Sequence, residues 1–275
     1  MAQNLASKYE KKIDERFKLG AITENTVNHD YKWEGVNSIN IFSVPTVGMN
    51  DYTKSGVNRY GTAAELDNEV QTMTLTRDRA FTFTIDRGNY QDTNMTLEAG
   101  KALSRQINEV VIPEIDTYRI ATIVAAAVAN GHTTTAAVDK ATAYEAVLAG
   151  TEKLDNKKVP QGGRILYVTP GFYNLIKLDP SFIKSTEIAQ KMLVNGQVGE
   201  LDGMRVVKAP SSYFPANTPF FIAHKVATVA ADKLTDYKTH NNPPGINGWL
   251  VEGRVRYDAF VLDNKVDALY AHKTL

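Results

Sequence analysis

Residues 248–272 read GWLVEGRVRYDAFVLDNKVDALYAH, and their charges mark either a catalytic site or the wet side of a sheet. Trp249, Val251, Gly253, Val255, Tyr257, Ala259 and Val261 alternate with a series that carries Glu252, Arg254, Arg256 and Asp258. A period of two with one apolar and one charged series is a strand, with one face on a core and the other on water or a polar interface. Asp263 and Asn264 tolerate left-handed backbone and can turn the chain. Lys265–Ala271 is then expected to return as the partner strand of a hairpin. Hairpin geometry accounts for the charges, so Glu252, Arg254 and Arg256 become candidates for contacts between subunits and not for catalysis.

Upstream, helices and strands interleave, which predicts an α/β layer unit. Residues 142–156 place Tyr144, Val147, Leu148, Thr151 and Leu154 on one helical face. RILYV at 164–168 reads as a strand, and Pro170 opens a helix in a position that favours proline. Pro180 stops that helix, and 181–197 read as helical. DGMRVVKAP at 202–210 and PFFIAHKVATVA at 219–230 read as strands.

Residues 94–130 carry the longest helical pattern, with Leu103, Ile107, Val110, Val111, Tyr118, Ala121 and Val128 on its stripe. Pro113 interrupts it and predicts a kink. Residues 31–92 read as strands around one long interruption. Ile39 and Ile41 alternate with Ser38 and Asn40, Val70–Thr76 is extended, and Phe81, Phe83 and Ile85 alternate with Thr82 and Thr84. Between them lies GMNDYTKSGVNRYGTAAELDNE, residues 48–69, polar and rich in glycine and asparagine. A two-stranded excursion is marginal in water, so this finger is expected to lie on a neighbouring copy of the chain. Its Tyr52, Lys54, Arg59 and Tyr60 suit a protein interface; stacking of single-stranded nucleic acid is the alternative. In the charged residues 1–30, Leu5, Tyr9, Ile13 and Phe17 recur every four positions and predict an amphipathic arm that touches another protein.

The totals narrow the function. The chain has 275 residues, 43% hydrophobic and 23% charged, with a formal net charge of zero. A neutral chain is a poor free-standing nucleic-acid binder, although it can enclose nucleic acid. With no cysteine, disulfides, thiolate catalysis and cysteine-held zinc are excluded. The first residues carry no apolar signal core, and no apolar run reaches the roughly 18 residues a membrane span needs. The five histidines show no metal-ligand spacing, and no phosphate loop, dinucleotide fingerprint or nucleophile elbow occurs. No catalytic, cofactor-binding or metal-ligating residue is therefore assigned.

In its order of parts the chain resembles the major capsid proteins of tailed double-stranded DNA bacteriophages, the Hong Kong 97-type fold. QINEVVIPEIDTYRIATI at 106–123 is similar to their spine helix, and RILYVTPGFYNLI at 164–176 to a strand and helix of their axial domain. LTDYKTHNNPPGINGWLVEGRVRYDAFVLDNKVDALYAH at 234–272 is similar to the closing strands of their peripheral domain. The resemblance implies an α+β fold with an N-terminal arm (1–30), an extended β-hairpin loop (31–92), a long kinked spine helix with the first part of the peripheral domain (93–140), an α/β axial domain (141–225) and peripheral-domain strands to the C-terminus (226–275). It implies hexamers and pentamers in an icosahedral virion shell around double-stranded DNA, assembled in the bacterial cytoplasm. It also implies scaffolding, portal and, in some relatives, decoration proteins as partners, with no membrane and no cofactor. With about 30 residues ahead of the loop, a separate scaffold is expected. Relatives that crosslink a loop lysine to a neighbour would here use Lys54. An encapsulin-type compartment shell and an α/β enzyme with an unrecognised site are the competing readings.

Overall fold

The computed structural model describes residues 21–33, 37–63, 65–92, 99–179 and 199–274. The arm stripe of Leu5, Tyr9, Ile13 and Phe17 and the helix expected at 181–197 lie outside them.

Three sheets organise the described residues. A six-stranded mixed sheet has the order β4 (Thr133–Thr135), β11 (Leu269–Lys273), β8 (Phe220–His224), β5 (Arg164–Val168), β7 (Met204–Lys208) and β6 (Glu200–Leu201). Its central strands β5 and β8 are buried at every residue, as suits their apolar runs Ile165–Val168 and Phe220–Ala223. Helices α4 (Ala143–Asn156) and α5 (Pro170–Leu178) contribute Val147, Leu154, Phe172 and Ile176 to a core with Leu166, Phe220 and Ile222. Thr169 caps α5 by accepting from the Phe172 amide, and Pro170 takes the first turn as the sequence predicts.

A second core pairs other residues of the same sheet, including Tyr167, Phe221 and Leu269, with Ile120, Ile123 and Val124 of α3 (Ile112–Ala129). After the short α1 (Arg87–Asp92), the predicted long helix is α2 (Ala99–Gln106), a π-helical turn over Ile107–Val111, and α3, its first residues 94–98 lying outside the described ones. The interruption thus lies just upstream of Pro113, which occupies the first turn of α3. A missing N–H is harmless there, and the widened turn absorbs the break.

The three-stranded antiparallel sheet has the order β3 (Arg77–Asp86), β10 (Gly248–Val261), β9 (Thr228–Asn241). The stretch that opened the sequence reading is therefore a strand, but its partners are β3 and β9. Asp263–Ala268 form a short 3-10 helix, and β11 leaves to join the six-stranded sheet between β4 and β8. The expected hairpin between β10 and 265–271 does not exist. Both sides of β10 are already paired, and Leu269 and Ala271 pack against α3 while Tyr270 joins the core under α4. Residues 219–230 likewise split into β8 and the start of β9, with a turn at Lys225–Ala227 that carries the chain from one sheet to the other.

Residues 21–28, expected within an arm that touches another protein, are inlaid in the body. Ala21, Thr23, Thr26 and Val27 are buried. Asp116 of α3 accepts from the amides of Ile22 (3.1 Å) and Thr23 (3.2 Å) and from the Thr23 hydroxyl (2.6 Å). Buried Arg119 pairs with Glu24 at 3.1 Å and Asp232 at 3.4 Å, and His29 bridges the same two acids. Burial pushes the Asp116 carboxyl up, against the pull of its donors.

Candidate assembly surface

Strands β1 (Ser38–Ser43) and β2 (Glu69–Thr74) pair antiparallel and carry the 48–69 finger between them. Their alternation sorts the side chains of this ribbon into two faces. Ile39, Ile41, Met73 and Leu75 turn inward and pack with Trp33, Phe260 and Leu262. Gln71 clamps the ribbon to the end of β10, donating to the Val261 carbonyl (2.8 Å) and accepting from the Asp263 amide (3.1 Å). Lys233 reaches Asn37 at 2.7 Å. The root of the finger is therefore bolted to its own body.

The outer face is different. Phe42 and Val70 are register partners, and they remain 64% and 49% exposed. Val44, Val47 and Met49 continue the exposed apolar series toward the tip. Most large hydrophobic side chains exposed among the described residues lie between 42 and 70. Such a concentration marks a contact surface. The signal was present in the sequence. Phe42 and Val44 share the parity of Ser38 and Asn40, opposite Ile39 and Ile41, and so must face away from the body.

The tip folds on itself. The Thr53 amide donates to the Arg59 carbonyl at 3.0 Å, and Asn50 reaches the Tyr60 carbonyl at 3.4 Å. Gly56 and Gly61, with φ of 88° and 89°, make the reversals. Arg59 is spent locally, its Nε donating to the Gly56 carbonyl at 3.1 Å. The rings of Tyr52 and Tyr60 meet edge to face at 5.0 Å, both exposed. The structure thus brings Tyr52, Arg59 and Tyr60 together, with exposed Lys54 on the same knob.

Glu252, Arg254 and Arg256 form a separate patch on the outer face of the three-stranded sheet. Arg254 holds Asp78 with two hydrogen bonds of 2.9 and 2.6 Å, and the bond from Arg254 keeps the Asp78 carboxyl below its usual range. Glu252 meets His240 at 3.3 Å, and Arg256 is half-buried. Asp258 is not on this face. It is buried, because past the last β3–β10 pair its carboxylate is covered by Thr76 and by Tyr118 of α3.

The histidines have structural partners. His29 pairs with Glu24 and Asp232, His132 with Asp267 and His240 with Glu252, while His224 and His272 bond the carbonyls of Gly162 and Ala136. Among the described residues no three His, Asp or Glu side chains gather as a metal site. No helix among them is long and apolar enough to cross a membrane. What the arrangement can do is make contacts, through an apolar ribbon face, an aromatic knob and a charged sheet.

A family model described as phage capsid protein matches residues 67–271. The fold is similar to a solved structure of Mycobacterium phage Che8, with a TM-score of 0.73, 16% identity, and 92% of this chain and 90% of that chain covered. It is similar to the mature capsid of bacteriophage PhiM1, with a TM-score of 0.70, 13% identity and coverages of 92% and 87%. It is similar also to the capsid of cyanophage P-SCSP1u, with a TM-score of 0.70, 14% identity and coverages of 91% and 86%. No curated protein matches the chain.

Proposed function

This chain belongs to the phage capsid protein family, and from that membership we propose that copies of it close as hexamers and pentamers into the icosahedral shell of a tailed phage virion. Its role is structural. The observation that carries the reading is the finger, whose root is fastened to its own body while its outer face and tip offer apolar and aromatic side chains outward. A neighbouring copy supplies the missing cover. Closed symmetry then repeats each modest contact over the whole shell, which is how weak interfaces sum to a strong container.

The division into arm, extended loop, spine helix, axial domain and peripheral domain follows the same proposal, as does the absence of catalysis. Assembly takes place in the bacterial cytoplasm with a scaffolding protein and a portal, with decoration proteins as further partners. The shell encloses double-stranded DNA without reading its sequence. A formal net charge of zero supports that, since tight phosphate neutralisation would hold DNA that has to slide inward. The test is negative-stain microscopy and sedimentation of the full chain, alone and co-expressed with its scaffold. Closed shells are the expected result. Monomers only, even with scaffold, would overturn the proposal.

A further inference from the structure

Asp258 lies beside the point where the chain leaves the finger after β2 and enters the three-stranded sheet at β3. The pairing of β3 with β10 ends at Arg77 opposite Tyr257, so Asp258 is one residue past the last pair. Only 2% of it is exposed. One carboxylate oxygen accepts from the Thr76 amide at 2.8 Å and the Thr76 hydroxyl at 2.9 Å. The other accepts from the Tyr118 hydroxyl of α3 at 2.7 Å and from the Ala259 amide at 2.9 Å. The guanidinium of Arg77 lies 4.3 Å above the Tyr118 ring, and Arg79 donates to Glu114 at 2.7 Å. Thr76 and the β3 residues that follow it are therefore tied to the same turns of α3.

A buried carboxylate is costly, and apolar residues would fill the space more cheaply if packing were its only purpose. What Asp258 supplies is geometry. Thr76 has left the ladder and has no strand partner for its N–H. Asp258 provides one, and the same carboxylate binds the helix. We propose that Asp258 is a positioning residue that fixes the angle at which the finger leaves the body, by locking the Thr76 joint to α3. The inference rests on the reading of the finger as the limb that reaches a neighbouring copy.

The chain has no cysteine, so spin labels can be placed cleanly at Ser55→Cys in the tip and Ser212→Cys beside α3. Electron-spin distance measurements on the full unassembled chain then report the finger's angle directly. The native joint gives a narrow distribution. Asp258→Asn keeps the shape but cannot accept from Thr76 and Tyr118 together, so the distribution broadens, and exchange of the Thr76 amide accelerates about tenfold or more. Thr76→Val and Tyr118→Phe each remove one tether and give partial broadening. They decide the matter should Asp258→Asn fail to fold. A broad native distribution overturns the proposal. So does an unchanged narrow one in folded Asp258→Asn, or in both lesser variants. Because the distances are read before assembly, a native chain that forms no shells but keeps a narrow distribution sinks the shell reading and not the joint.

Discussion

Replacing Phe42 and Val70 together by threonine separates assembly from folding. The two side chains face each other across β1 and β2 on the outer face of the ribbon, 64% and 49% exposed. Threonine keeps the strand preference of the site, so the ribbon should still form. Fully burying a large apolar side chain contributes about 1.5–3 kcal/mol. The exposed share leaves ~1–2 kcal/mol for Phe42 and ~1 kcal/mol for Val70 to be gained against a neighbour. Losing ~2–3 kcal/mol weakens each contact by roughly 30- to 150-fold, at about 1.4 kcal/mol per factor of ten. The unassembled subunit gains little from the same side chains, so its urea midpoint should move by no more than ~0.5 kcal/mol equivalent. Light scattering against protein concentration gives the onset of assembly, and urea unfolding gives the stability. An unchanged onset would refute the reasoning, because the face would then touch nothing. A large fall in subunit stability would refute it from the other side, because the face would belong to the subunit's own core.

Other expectations follow from single sites. A Cβ at Gly253 would lie 2.4 Å from the Phe81 ring and 2.8 Å from the Tyr237 ring, so Gly253→Ala should cost about 1–2 kcal/mol in urea unfolding; a stabilised variant would contradict that packing. Asp116→Ala strands the Ile22 and Thr23 amides, and after relief of the carboxylate's own burial the loss should be about 2–3 kcal/mol. Amide exchange confined to 21–24 would be its signature. The hydrogen bond to Glu24 holds His29 above 6.5, so its contribution is full below 6.5 and fades as pH rises through the raised value. Burial pushes Glu24 up, but His29 and Arg119 outweigh it and hold it below 4.5, so its contribution is full above 4.5 and fades as pH falls. The cluster with Arg119 and Asp232 is thus tightest in mild acid, and His29→Ala should abolish the decline as pH rises and, by removing one of the partners that hold Glu24 down, lessen the loss in acid, read from urea midpoints across a pH series. Arg254→Ala should leave the unfolding midpoint where it is, since Arg254 and Asp78 lie in solvent, and any effect on shell yield would place the sheet face in a contact between copies.

The sequence revealed faces more readily than partners. A period of two shows which side of β10 is apolar, but it is silent on which strand lies beside it. That is why 265–271 looked like the return of a hairpin, when its apolar core residues Leu269–Ala271 are taken into the other sheet. Local chemistry was easier to read. Pro170 marks the start of α5, the run at 164–168 is a central strand, and the glycines and asparagines of 48–69 mark the tip. Alternation puts Asp258 on the wet face, and nothing in the neighbouring residues announces that Thr76 and Tyr118, far away in sequence, cover it. The inlay of 21–28 was missed for a similar reason. Its partners, Asp116, Arg119 and Thr228, are far away in sequence and are polar. Apolar periodicity cannot detect a segment held mainly by hydrogen bonds.

The sheets differ in how they end, and the difference suits a subunit that must associate in one way only. Exposed strand edges are templates for pairing with any other chain. The six-stranded sheet ends in β4, three residues long, and β6, two residues long, so it offers little template. The three-stranded sheet ends in β3 and β9, of ten and fourteen residues. The start of β9 is covered by residue Asn28, which donates to the Thr228 carbonyl and accepts from the Ala230 amide at 2.9 and 3.0 Å. The remainder is lined with ionic side chains, Asp236 and Lys238 on β9 and Asp78 and Arg79 on β3. Charges on an edge discourage indiscriminate pairing and still permit a partner with the complementary pattern. The apolar attraction is concentrated instead on the ribbon, held out from the body by a root that has its own core. Strength and direction are thereby assigned to different places. In the proposed shell the ribbon's outer face supplies affinity, and the charged sheet rejects wrong registers. A chain with both on one flat face would aggregate before it could close a shell.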